Sequence, residues 1–155
     1  MAITPFFLSA SGSECFCVYH PPACLAGAGR GAVVYVHPFA EEMNFSRHMA
    51  ARQARTMAAQ GYAVLQIDLL GCGDSAGNFS DATWDIWLDD VVAAARWLQA
   101  RHPSTPLTFW GLRVGCLLAA QAAARLDAGV GSPVNFLFWQ PVISGEVFWR
   151  QFQRL

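Results

Sequence analysis

Short apolar runs alternate along the chain with longer stretches in which apolar residues recur every three or four positions. The runs are Ala32 to His37, Ala63 to Asp68, Leu107 to Trp110 and Val134 to Trp139. Each reads as a strand, and the continuous run from Ala32 fits a central strand of a parallel sheet, covered on both faces. Between the runs, 46–60 predicts a helix with Ser46 as its cap and Gly61 as its stop. The stretch from about Thr83 to Arg101 puts Trp84, Trp87, Leu88, Val91, Ala95 and Leu98 on one stripe. Its first half carries Asp85, Asp89 and Asp90, where the helix dipole favours Asp85 most. A third helix is expected from Val114 to about Asp127, ended by Gly129 and Gly131. Ahead of all these, Phe6-Phe7-Leu8 and Glu14 to His20 read as a hairpin around Ser11-Gly12-Ser13.

Strand, helix, strand, helix, strand, helix, strand is a doubly wound α/β pattern built on a mostly parallel sheet. Right-handed crossovers put helices on both faces. Ligand chemistry then belongs beyond the C-terminal ends of the strands. Those ends are His37, Asp68, Gly111 and Trp139.

At 155 residues, 54% hydrophobic and 14% charged, the chain is expected to form one domain over 1–155. The net charge of −1 gives no electrostatic case for nucleic acid or an anionic membrane surface. The five cysteines are odd in number and fit no zinc spacing, so they read as buried thiols, and no metal or cofactor is expected. Gly27, Gly29 and Gly31 mimic a dinucleotide loop, but they precede a strand instead of following one. The N-terminus has no basic segment leading into an apolar run, and no apolar run approaches ~20 residues. The expectation is a cytoplasmic protein with no membrane span.

The chemistry gathers in Phe109-Trp110-Gly111-Leu112-Arg113-Val114-Gly115. A strand end, a Gly-x-Arg-x-Gly turn and an apolar helix start have the shape of the Gly-x-Ser-x-Gly nucleophile elbow. The lifted residue here is Arg113. Two further loops follow strands in the same way: His37-Pro38-Phe39, and Asp68-Leu69-Leu70-Gly71-Cys72-Gly73-Asp74-Ser75.

On these three motifs the chain resembles the α/β-hydrolase superfamily. With His37 to Asn44, Trp110 to Gly115 and Trp139 to Gly145 added, it resembles more narrowly the second hydrolase family associated with exosortase A systems. The resemblance spans nearly the whole chain. It implies an α/β-hydrolase sheet and hydrolysis of an ester, thioester or related acyl bond on a small-molecule substrate. It implies that the backbone N–H groups of Phe39 and Val114 form an oxyanion hole, the alternative being that they merely cap the turn. It also implies an acid and a His after the elbow. No His follows residue 113, so the sequence is read as truncated after the sixth strand.

Each candidate has more than one reading. The Arg113 guanidinium stays protonated and cannot attack a carbonyl. It suits a clamp on a carboxylate or phosphate, or an ion pair with Glu41, Glu42 or Asp74. On the second reading the protein is a non-catalytic binder on a hydrolase scaffold. His37 orients a ligand or closes a strand end by hydrogen bonding. Asp68 pins its own loop, with Gly71, Gly73 and Ser75 as its structural members. Gly111 and Gly115 are needed for a sharp turn. Ser75 and Cys116 are the substitute nucleophiles to weigh, neither with an identified base. Finally, Val134 to Trp139 is uncharged and unguarded as an edge, which predicts self-association. The tail from Glu146 to Leu155 is expected to fold back as a short helix and cover part of it.

Overall fold

The computed structural model describes residues 2–23, 29–126 and 134–154. Asp127, Gly129 and Gly131, the expected end of the third helix, lie outside them, as do Cys24 and Gly27.

The hairpin forms as β1 (Thr4–Ala10) and β2 (Ser13–His20), paired antiparallel with Phe7 opposite Phe16. Ser11 and Gly12 join them, both at positive φ, 51° and 76°. A two-residue loop of that conformation matches the twist of the flanking strands. Next come β3 (Gly31–Val36), α1 (Glu41–Ala59), β4 (Tyr62–Ile67), α2 (Trp84–Arg101), β5 (Leu107–Leu112), α3 (Gly115–Leu126), β6 (Val134–Trp139) and α4 (Gly145–Phe152). One sheet holds all six strands in the order β1-β2-β4-β3-β5-β6. The pairs β4–β3, β3–β5 and β5–β6 are parallel. This is the mixed, mostly parallel sheet of an α/β-hydrolase.

Every residue of β3 is buried, as its unbroken apolar run requires. On one face, α1 lays Ala50 and Ala54 against Val33, Tyr35, Val64 and Trp110. On the other, α2 and α3 cover Val34, Val36, Leu65 and Phe109. Each large side chain removed from water there contributes about 1.5–3 kcal/mol.

Two boundaries differ from the sequence reading. The first helix begins at Glu41, five residues before Ser46. The chain turns at Ala40 (φ 49°), and Glu41 and Glu42 then occupy the first helical turn. Carboxylates are favoured at that end of the dipole. The Ser46 hydroxyl donates back to the carbonyls of Glu42 and Met43, so it caps nothing. Also, β5 continues through Gly111 to Leu112, because those residues still pair with β6.

The tail does form a helix, but α4 goes elsewhere than expected. Phe148 and Phe152 meet Phe39 at ring-centroid distances of 5.9 and 5.3 Å. An aromatic cluster after β3 offers these rings more contact than the outer strand does. So β6 pairs with β5 alone among the described strands, and Phe136 (47%) and Phe138 (38%) stay exposed.

Candidate functional site

The parallel strands bring four loops to one edge of the sheet. His37 follows β3, Asp68 follows β4, Arg113 follows β5 and Gln140 follows β6. Among the described residues, the non-glycine residues at positive φ are Ser11, Ala40, Arg113 and Gln140, and the last three lie in these loops. Such backbone costs on the order of 1–3 kcal/mol per residue and collects at functional sites.

Arg113 sits at φ 54° between the end of β5 and the start of α3. Its N–H donates to the Trp139 carbonyl at 3.0 Å, and its own carbonyl accepts from Val142 at 3.3 Å. The apex is thereby tied to the exit of β6. A Cβ on Gly111 would lie 2.7 Å from the Cα of Cys116. A Cβ on Gly115 would lie 2.6 Å from the His37 carbonyl oxygen and closer still to that of Val36. The two glycines therefore let α3 start flush against the ends of β3 and β5. Among the described residues no acceptor takes the backbone N–H of Phe39 or of Val114.

The Arg113 side chain chooses among its three expected partners. Its Nε donates to Glu42 Oε1 at 3.1 Å, both side chains being about one-third exposed. Its guanidinium carbon lies 5.8 Å from the Phe148 ring centre. A groove of about 510 Å³ opens beside it, walled by Pro38, Phe45, Met49, Leu112 and Gln140. Phe45 is 87% exposed there.

His37 is buried, and backbone groups occupy both ring nitrogens. Leu69 N–H donates to Nε2 at 3.2 Å, and Nδ1 lies 2.7 Å from the Pro38 carbonyl. The proton is thus on Nδ1, donated to Pro38. Burial holds the ring pKa below its usual value, so the imidazole is neutral.

Asp68 accepts from the Asp74 N–H at 3.0 Å and pairs with Arg47, which also reaches Asp74 at 3.3 Å. Gly71 and Gly73 hold φ 72° and 56° in this loop. The Ser75 hydroxyl donates to the Asp68 carbonyl at 2.5 Å and accepts from Phe16 N–H at 2.7 Å. It knits the loop to β2 and has no hydrogen left to give a base. Cys116 is buried against the Trp139 carbonyl, and burial raises its thiol pKa.

Asp90, grouped in the sequence with Asp85 and Asp89 as an acid of the second helix, has a role of its own. Its carboxylate lies fully buried on α2 and accepts from Leu70 N–H at 3.0 Å. Trp87, one turn earlier, donates its indole N–H to the Leu70 carbonyl at 3.0 Å. Leu70 of the Asp68 loop is thus held through both its backbone N–H and its carbonyl. The available signal was an acid between Trp87 and Val91 on the apolar stripe. Asp85 and Asp89 instead pair with Arg125 of α3.

Comparison with known proteins completes the picture. Residues 27–132 match the family described as serine aminopeptidase, S33. The chain belongs to that hydrolase family, within the α/β-hydrolase superfamily. It is 32% identical to protein ABHD12B of Homo sapiens over 81% of this chain and 32% of that protein. It is 26% identical to the lysophosphatidylserine lipase ABHD12 of Xenopus tropicalis, over 56% of this chain and 22% of that one. The chain thus spans about a third or less of the length of these curated relatives. Among solved structures it superimposes on XC6422 of Xanthomonas campestris, an α/β serine hydrolase without a lid. The TM-score is 0.72 at 19% identity, over 100% of this chain and 80% of that one. Among the described residues, no helix is long and apolar enough to cross a membrane.

Proposed function

We propose that residues 1–155 are a single core domain of an α/β-hydrolase-type enzyme acting on an ester, thioester or related acyl bond. The observation that carries this is the strained strand-to-helix turn at Arg113, together with the backbone N–H groups of Phe39, after β3, and of Val114, which no acceptor takes among the described residues. Donors fixed in this way stabilise the oxyanion that develops when an acyl carbonyl is attacked. In this reading Gly111 to Gly115 is the elbow, and Arg113 at its apex holds the carboxylate or phosphate of an acyl substrate. His37 and the Asp68 loop with Gly71, Gly73 and Ser75 act as struts that place Phe39. The lipase activity named for the Xenopus relative supports the acyl class. Cytoplasmic placement and service to an exosortase-linked system, which the sequence resemblance implies, belong to the same proposal.

A second reading has its own support. Arg113 cannot be a nucleophile. Ser75 is spent on two hydrogen bonds and Cys116 is a buried thiol. These facts favour a non-catalytic protein whose Arg113 binds an anion, the guanidinium keeping both terminal nitrogens beyond its bond to Glu42.

Fluorophosphonate labelling of the full-length protein separates the two. Labelling abolished by replacing one Ser or Cys is the result expected of the enzyme. Absence of labelling, with anion binding that Arg113→Ala abolishes, would leave the binder. Arg113→Ser in these 155 residues should not hydrolyse p-nitrophenyl esters, because no His follows it.

A further inference from the structure

On the flank of the molecule, two cavities adjoin between β2, β4 and α1. One, of about 300 Å³, is walled by Ile3, Pro21, Ala23 and Ala58. The other, of about 250 Å³, runs along Val18 and Gln66 toward Arg47 and Asp68. His20 and Arg55 line both.

His20 is 2% exposed. Its Nε2 lies 2.8 Å from Gln66 Oε1, which makes Nε2 the protonated nitrogen. Its Nδ1 is buried and has no hydrogen-bond partner among the described residues. A buried polar atom without a partner costs about 1–3 kcal/mol and calls for an explanation. Burial lowers the pKa of the ring, the Gln66 contact opposes that, and the Arg55 charge lowers it further. Arg47 is answered by Asp68 and Asp74, whereas Arg55 makes no ion pair among the described residues. The same two cavities are thus lined by a cation that makes no ion pair among the described residues, by an imidazole and by an aliphatic wall. Nothing in the elbow reading uses His20 or Arg55.

We infer that this flank binds a small aliphatic carboxylate, its acid group held between Arg55 and Nδ1 of His20 and its hydrocarbon lying on Ile3, Pro21 and Ala58. The guanidinium fork matches a carboxylate, and one unanswered charge matches a monoanion. The apolar wall disfavours a bare inorganic ion. The carboxylate also offsets the Arg55 charge that opposes protonation, so binding draws a proton onto Nδ1 and turns an orphan acceptor into a donor. The charged and polar groups that line the second cavity with His20 are Arg47 and Arg55 of α1, Gln66 of β4, and Asp68; none of them bonds Nδ1.

The test is a titration of the whole chain with hexanoate, followed by proton–carbon NMR of its four histidines. The His20 ring signal should move saturably toward its imidazolium position while those of His48 and His102 stay still. Affinity should rise as the pH falls from about 8 to 6, through the range in which imidazole gains a proton. Arg55 is exposed, so Arg55→Gln should leave the fold intact and weaken hexanoate about tenfold or more, as losing a charged hydrogen bond does. Hexan-1-ol should not shift His20. The inference is overturned if hexanoate produces no saturable shift of His20, if hexan-1-ol matches it, or if Arg55→Gln binds as the parent does.

Discussion

Replacing Gly115 by alanine adds one methyl group at the tightest point of the site. That carbon would stand 2.6 Å from the His37 carbonyl oxygen and nearer still to that of Val36. Both opposing atoms are backbone, at the end of the fully buried central strand, and no rotamer change clears them. Either α3 lifts from the sheet or β3 bends. Overpacking typically costs about 1–3 kcal/mol. Rigid backbone on the far side places Gly115→Ala at the upper end, about 3 kcal/mol. In a chain of this size each kcal/mol lowers Tm by roughly 2–4 °C, so the expected drop is about 6–12 °C by circular dichroism. Two controls isolate the cause. Gly145 begins α4 with nothing within 4 Å of an added Cβ, so Gly145→Ala should melt with the parent or slightly above it. Gly12 also has open space but holds φ 76°, so Gly12→Ala should cost only about 1–2 kcal/mol of left-handed strain. If Gly115→Ala melts with Gly145→Ala, α3 does not start against β3 and the geometry of the turn is wrong.

Two further outcomes are expected. Burial raises the Asp90 pKa, so the native state keeps this proton to higher pH than the unfolded chain, and the contribution to stability is lost as pH rises from the ordinary carboxylate range through the raised value. Asp90→Asn keeps an acceptor for Leu70, so it should raise Tm at about pH 8, with the gain vanishing near pH 4; a loss at pH 8 would show that the charge itself is required. The uncharged β6, paired on one side among the described strands, should make this chain self-associate through that edge. Sedimentation showing only a 16.9 kDa monomer at high concentration would refute that.

Much of the fold was legible because its signals are local. Five unbroken apolar positions, Ala32 to Val36, cannot face water, so β3 had to be central. Trp84 to Arg101 repeats with a helical period, and Thr83 caps it by accepting from Ile86 N–H. The start of α1 was misread because Ser46 resembles a cap by type, while the chain is turned earlier, at Ala40, by the packing of Phe39. The destination of α4 was equally invisible. Its apolar face announces that it must pack, but Phe39, Phe79 and Trp87 come together only in the folded chain.

The candidate site divides along the same line. The glycines and Arg113 stand in one short motif and were readable. Of the three acids offered to Arg113, only folding could select Glu42. Arg47 and Asp90, which anchor the Asp68 loop, lie 21 residues before and 22 after Asp68 in the chain. No short pattern joins residues that far apart, and only the register of β4 beside β3 and the packing of α2 do so.

Energetics bear on why an arginine stands at the apex. A left-handed backbone costs a non-glycine residue about 1–2 kcal/mol, a cost glycine would avoid. The compensation visible at Arg113 is one contact to Glu42 with both side chains a third exposed. An ion pair as solvated as this contributes about 0–1 kcal/mol. The cation–π contact to Phe148, at 5.8 Å, lies near the limit of useful range. The side chain thus returns no more stability than its backbone position costs. A turn shaped by folding alone would be served better by glycine at 113. This favours the proposal that Arg113 is held for what it can bind, at an apolar groove and with the N–H groups of Phe39 and Val114 taken by no acceptor among the described residues. That is the arrangement both functional readings need, and they differ only in whether a bond is broken there.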